Sequence, residues 1–437
     1  MPPRFQGLWQ NPNFLKFWAG QTISVVGSNI TGLALPLIAT VTLNASPEQM
    51  GVLSALGQVA YLLVGLPAGA WIDRAQRLPI LIAADIGRAL CIGLVPLVAF
   101  FGLLRMEYLY AIALLAGVLT VFFELSYLAF VPVLVSREHV VEANSKLESS
   151  RSAAQIVSPG LAGLLIQVIG APLALVIDAL SFLLSAASLL WMRVEESKPE
   201  IVGPRPALWA DIREGIRVVV RNPLLRALTF GTAIFNFFAG MIDAILVLFM
   251  VRELGLGAAN IGIIFTIAGP GTLFGALMAR RITERVGIGP AITGSMMVGA
   301  AAMALVPLAR PPALVAMGFL ALSWGIMGAS VMVFNINVLS LRQSITPDRL
   351  LGRVGATARF VVMGILPLGA VLGGIIAGQI GLRPTLVIAV IGGLFSGLFF
   401  LFSPVVRLRR TEDAIAQYAV QPQEERPLLR ERLKPPL

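Results

Sequence analysis

The stretch MGVLSALGQVAYLLVGLPAGAWIDRAQRLPI, residues 50–80, decides how the rest of the chain is read. It runs apolar from Met50 to Ile72, then sets Asp73, Arg74 and Arg77 in a short turn before an apolar run resumes at Leu78. An apolar run of that length matches the roughly 20 residues a helix needs to cross a bilayer. Shifted by 211 residues, it lies against IGIIFTIAGPGTLFGALMARRITERVGIGPA, residues 261–291. Gly51 meets Gly262, Asp73-Arg74 meets Glu284-Arg285, and Pro79 meets Pro290. The same shift lays Gly163 on Gly374 and Gly170 on Gly381. A likeness that is weak residue by residue yet keeps register over the chain is the mark of an old duplication.

Composition agrees with a membrane protein. The 437 residues are 57% hydrophobic and 13% charged, with a mean hydropathy of +0.85, far outside the habits of a soluble domain. Apolar runs recur along nearly the whole chain, which excludes a single anchor or a cleaved leader. Twelve spans are read: 13–41, 47–72, 79–103, 107–134, 141–169 and 172–193 in the first half, and 223–252, 258–281, 288–309, 312–341, 347–378 and 383–408 in the second. The expected organisation is a six-helix bundle over 1–193, a linker over 194–222, a second bundle over 223–408, and a disordered tail over 409–437. The linker places Leu208, Ile212, Ile216 and Val219 at helical spacing with Arg213, Arg217 and Arg221 on another face, the pattern of a membrane-surface helix.

Positive charge sets the orientation. With both termini inside, inner segments hold 26 of the 33 basic residues, as short cytoplasmic loops should. The net charge of +10 is therefore a matter of topology. Nucleic acid is not an expected partner, because the basic residues are divided among loops without interleaved aromatics. One His and one Cys give no foothold for a metal site, and no cofactor is expected. Cys91 sits in an apolar run as a small packing residue, and His139 is read as a solvated loop residue among Arg137, Glu138 and Glu142. An ATP-driven pump is disfavoured, since no Gly-x-x-x-x-Gly-Lys-Ser/Thr loop occurs. The chain is not read as an enzyme.

In the opening turn, Gly65 and Gly69 lie one helical turn apart and would let a neighbouring helix approach closely. Asp73 would then reach the partly positive N-terminus of that neighbour, while Arg74 and Arg77 stay with water and lipid phosphates. The framework Gly69-Ala-Trp-Ile-Asp73-Arg74-Ala-Gln76-Arg77-Leu78 resembles the major facilitator superfamily signature Gly-x-x-x-Asp-Arg-x-Gly-Arg-Arg. It departs from that signature at Gln76 and Leu78. On span five, Ile156-Val-Ser-Pro159-Gly160-Leu-Ala162-Gly163 is similar to the antiporter signature Gly-Pro-x-x-Gly-Gly, departing at Ser158 and Ala162. FVPVLVSREHVVEANSKLESSRSAA, VIDALSFLLSA and TPDRLLGRVGATARF resemble the branch containing macrolide efflux proteins and the enterobactin exporter. The resemblance covers about residues 12–408. It implies an all-α fold of twelve transmembrane helices in two pseudo-symmetric six-helix bundles, a central cavity lined by spans one, four, seven and ten, and efflux by alternating access.

An ionisable group in hydrocarbon is expensive and faces a cavity or a partner. Asp85 and Arg88, three apart, should neutralise each other. Glu124 on span four and Asp243 on span seven have no base within a helical turn, and Asp178 lies near the outer end of span six. With no His in the spans, Asp243, Glu124 and then Asp178 are the candidate proton carriers. Pro159, Gly160 and Gly163 would shape a tight outer seal. Asn29, Asn236, Asn335, Asn337, Arg151 and Arg359 are the candidate cargo contacts, with Phe123, Phe235, Phe237, Phe238 and Trp324 as stacking surface. The leading expectation is a monomeric, proton-coupled exporter of amphipathic small molecules in a bacterial inner membrane, its partners being cargo, protons and lipid. A lysophospholipid flippase or uptake carrier of the same fold is the alternative, followed by a non-transporting receptor or scaffold and a membrane enzyme.

Overall fold

Asparagine, proline and glycine set the helix ends, and they do so twice. Asn11 accepts hydrogen bonds from the Asn13 and Phe14 amides (3.0 and 3.1 Å) ahead of Pro12, and so starts α1, Pro12–Leu37, which runs on as a π-turn over Ile38–Thr42. At the same shift of 211 residues, Asn222 accepts from Leu224 and Leu225 (3.0 and 3.1 Å) ahead of Pro223. Gly170 and Gly381, also related by the shift, have φ of 84° and 95°. That left-handed backbone suits only glycine, and it ends one helix and opens the next at both places.

The computed structural model describes residues 7–72, 74–194, 196 and 208–420. After α1 come α2 (Pro47–Ile72), α3 (Arg77–Phe100), α4 (Met106–Leu134), α5 (Val140–Ile169) and α6 (Ala171–Leu190). The linker contributes the amphipathic α7 (Leu208–Arg221). The second half holds α8 (Pro223–Arg252), α9 (Ala258–Val286), α10 (Ile288–Ala302) with the short α11 (Leu305–Leu308), and α12 (Ala313–Ile345). It continues with α13 (Asp348–Gly364), α14 (Leu366–Ile380) and α15 (Leu382–Leu401). The eleventh expected span is thus two helices, parted at Ile365 just before Pro367. Among the described residues there is no strand, and eleven helices or helix pairs are long and apolar enough to cross a membrane. Pro47–Ile72, at 26 residues, is the twelfth span of the fold. The chain is an all-α membrane protein of two six-helix halves.

The described part of the tail, up to Val420, differs from expectation, and residues 421–437 lie outside the described residues. Thr411–Tyr418 forms α16, held by Asn222 Nδ2 donating to the Tyr418 carbonyl (2.7 Å) and by the Val420 amide donating to Ile345 O (2.8 Å). Ala414 buries its side chain there, a local anchor that the polar composition hides. Cys91 packs half-buried against the apolar core, and His139 lies 3.3 Å from Glu142.

The face carrying α7 and α16 is called the basic face below. There the segment after span six reaches back to α3. Glu196 accepts from the Arg77 amide (2.9 and 2.8 Å) and the Leu78 amide (3.1 Å), and pairs with the Arg77 guanidinium at 3.1 Å. Arg77 is therefore not left to water and lipid; a carboxylate occupies the N-terminus of its own helix. Arg74 is exposed, as expected, and Asp73 lies outside the described residues.

Candidate functional site

A cavity of about 590 Å³ lies between the halves. Thr31 of α1, Tyr61 of α2, Glu124 of α4, Asp243 of α8 and Arg359 of α13 line it. Two carboxylates that the sequence could place only on separate spans thus share one space. Among the described residues neither has an ion-pair or hydrogen-bond partner. Asp243 is exposed to the cavity and Glu124 is half-buried.

Each carboxylate also stands in a second wall. Asp243 borders an aromatic recess of about 130 Å³ with Phe235, Phe238 and Trp324. Glu124 borders a polar recess of about 240 Å³ with Asn29, Arg88, Phe123 and Arg151. A carboxyl group between an open cavity and an aromatic or polar wall can meet a cation, a proton or the polar end of an amphipathic molecule. Arg359 sits 4.7 Å from the Tyr61 ring centre and adds positive charge to the same space.

Beside it, Arg88 pairs with Asp85, and its guanidinium stacks on Phe123 and Phe182 (4.1 and 4.3 Å to the ring centres). Both charges are buried, so Asp85 and Arg88 hold one another as the spacing indicated. Asp178 is tied more firmly than Glu124 or Asp243: it accepts from Thr31 of α1 and from Ser181 (3.0 Å).

The candidate cargo contacts scatter. Asn29 donates to Val25 O (2.8 Å) and faces the polar recess. Asn236 donates to Val362 O (2.9 Å) across to α13, and with Asn335 lines a further space of about 210 Å³. Asn337 is corrected: its amide donates to Val333 O and its carbonyl accepts from Thr283, both at 2.8 Å, in a buried tie between α12 and α9. Its two polar ends are committed. Tyr61 and Gln58 of α2, both lining the large cavity, are missed by sequence reasoning; a lone glutamine inside an apolar run was the available signal.

The halves meet closely on the face opposite the basic one. A Cβ on Gly163 would lie 2.9 Å from the Gly262 Cα, and one on Gly51 would lie 3.0 Å from the Gly374 Cα. Such space admits no methyl group without movement. The two contacts are images of each other under the shift of 211 residues. Gly160 faces Thr266 of α9 at 2.7 Å by the same measure, and Arg252 donates to Ala45 O (2.9 Å) across the same region. Toward the basic face the pattern reverses. Gly69 has no described atom within 4 Å of a Cβ, and Gly65 meets only Tyr61 of its own helix. The expected close approach at Gly65 and Gly69 is thus not made by any described residue in this conformation.

The family model described as Major Facilitator Superfamily matches residues 17–367. Macrolide efflux protein A of Streptococcus pyogenes is 25% identical over 376 residues, covering 85% of this chain and 90% of that protein. Enterobactin exporter EntS of Escherichia coli O1:K1 / APEC is 26% identical over 413 residues, covering 92% and 93%. In shape, the chain is similar to a bacterial homolog of the human lysosomal transporter Spinster, solved inward-facing and unoccupied. The TM-score is 0.70 at 15% identity, with 96% of this chain and 100% of that one covered.

Proposed function

The chain belongs to the Major Facilitator Superfamily, and from that premise we propose that it exports amphipathic small molecules in exchange for protons, by alternating access of its two halves. The observation that carries this reading is the shared cavity, where Glu124 and Asp243 stand unpartnered among the described residues beside aromatic and polar recesses. Relatives named for macrolide and enterobactin efflux support the direction. The arginine count supports a basic face in the cytoplasm of a bacterial cell.

In this reading the cavity takes cargo from the basic face while the glycine contacts Gly51–Gly374 and Gly163–Gly262 seal the other. Cargo seats its apolar part against Phe235, Phe238 and Trp324 and its polar part toward Asp243 or Glu124. When the halves rock, the seal opens, cargo leaves, and a proton taken up on a carboxylate returns with the cavity. Asp243 is the first carrier, Glu124 the second, and Asp178, already bonded to Thr31 and Ser181, the third. The region around Gly65, Gly69, Arg74 and Arg77 closes the basic face in the opposite state.

The test is efflux from proteoliposomes with and without an imposed pH gradient, for Asp243→Asn and Glu124→Gln. A carrier variant loses gradient-driven uphill efflux at least tenfold while keeping downhill exchange, because a neutral side chain still lets the cavity alternate. Full uphill efflux in both variants would remove them from coupling and turn attention to Asp178.

A further inference from the structure

On the basic face, away from the central cavity, a space of about 290 Å³ opens between α7, the start of α8, α13 and the tail. Arg217 and Arg221 of α7 and Arg349 of α13 line it, with Asn222 and the carboxy-terminal end of α16 closing the wall. All three arginines are exposed, and none has an ion-pair or hydrogen-bond partner among the described residues. Glu214, the one carboxylate among the described lining residues, is already taken up by Arg353. Three guanidinium groups thus line one space, and each is left without a carboxylate partner among the described residues.

The setting of α7 says what kind of anion. Gly215 lies so close to α13 that a Cβ would come within 2.7 Å of Arg353 O, so the helix is pressed flat on the bundle. Ile216 and Val220, one turn apart, remain 48% and 44% exposed. Beside this apolar stripe runs Arg213, Arg217 and Arg221, also one turn apart. An apolar stripe next to a basic one is the arrangement of a helix lying at a bilayer surface, apolar side in the acyl boundary and cations at headgroup depth. Guanidinium groups match phosphate oxygens in planar, two-pronged hydrogen bonds.

We propose that the cavity lined by Arg217, Arg221 and Arg349 is a phosphate site, and that the phosphate is that of an anionic phospholipid headgroup held where the linker helix and the tail meet the second bundle. Occupancy would tie α7, α13 and α16 together, stabilising the basic side of that half.

The experiment uses the full-length protein in detergent and reads thermal unfolding during titration with phosphatidylglycerol, phosphatidylcholine or inorganic phosphate. Phosphatidylglycerol is expected to raise Tm saturably, and Arg217→Gln, Arg221→Gln and Arg349→Gln each to weaken its apparent affinity about fivefold. Arg213→Gln, on the same helix but outside the cavity, serves as the charge-matched control. Arg349→Lys keeps the charge and should recover part of the loss, which guards against misfolding as the cause. A rise with inorganic phosphate alone, lost in the same variants, would keep the phosphate site and assign it to free phosphate. Equal loss in Arg213→Gln, or no difference between phosphatidylglycerol and phosphatidylcholine, would overturn it.

Discussion

The two halves follow one backbone plan and fill it with opposite chemistry. Asp85, Arg88, Glu124 and Asp178 of the first half fall, 211 residues on, at Met296, Gly299, Asn335 and Ala389. Asp243 of the second half answers Gly32 of the first, and both line the large cavity. The turn after the second span repeats the contrast. Gln76 has φ −69°, and the helix it precedes is capped by the Glu196 carboxylate; its counterpart Gly287 has φ 93°, and the Ile288 and Gly289 amides donate to Arg409 O and Leu408 O (3.3 and 2.9 Å). In both halves the segment after the last span returns to cap the third. One does so with a charged side chain, the other with backbone. Duplication kept the helix ends and the close contacts, and the polar interior diverged.

The sharpest break of this comparison is at Arg88. Arg88→Met leaves Asp85 buried without its cation and should cost about 3–5 kcal/mol. Met296→Leu, at the place equivalent to Asp85, should cost under about 1.5 kcal/mol. Thermal unfolding of the two variants side by side measures the difference, and equal losses would end the claim that the halves store charge unequally. Next comes Glu196→Ala, which removes hydrogen bonds to a charged group worth about 1.5–3 kcal/mol. Hydrogen exchange should speed up in the first turn of α3 and stay unchanged in the first turn of α10.

The glycine contacts probe what the halves share. Gly163→Ala and Gly374→Ala should each oppose closure of that face by about 1–3 kcal/mol through overpacking. Cysteine labelling from that side should rise in both, and a rise in only one would show that the repeat no longer acts symmetrically. The smallest effect is expected at Asn337→Ala, about 0.6 kcal/mol for one interhelical tie inside a membrane, with cargo binding unchanged. A loss of binding there would return Asn337 to the site.

Sequence reading succeeded where the signal was local or periodic. The spans and the Asp85–Arg88 pair follow from spacing along one helix, and the shifted glycines from the register of the repeat. Glu124 and Asp243 were legible as isolated charges in apolar runs, and the family plan put both spans at the centre. Long-range partners were not legible. Nothing near Glu196 announces that it will cap a helix more than a hundred residues earlier, and nothing near Asn337 announces Thr283. Such bonds depend on which helix faces come together, a property of the assembled bundle. The α16 helix stayed hidden for a related reason, since its anchor is one small buried Ala414 and two hydrogen bonds, one from the Asn222 side chain and one between backbones.

The anchoring of the linker has a mechanical corollary. Glu196 fastens one end to the first half through α3, and Glu214 fastens the other to the second half through Arg353. Twelve peptide steps separate Glu196 from the start of α7, and a fully extended chain of that length reaches about 40 Å at most. The linker is therefore a leash of fixed contour, and while both knots hold, it sets an upper limit on how far the basic ends of the two halves can part.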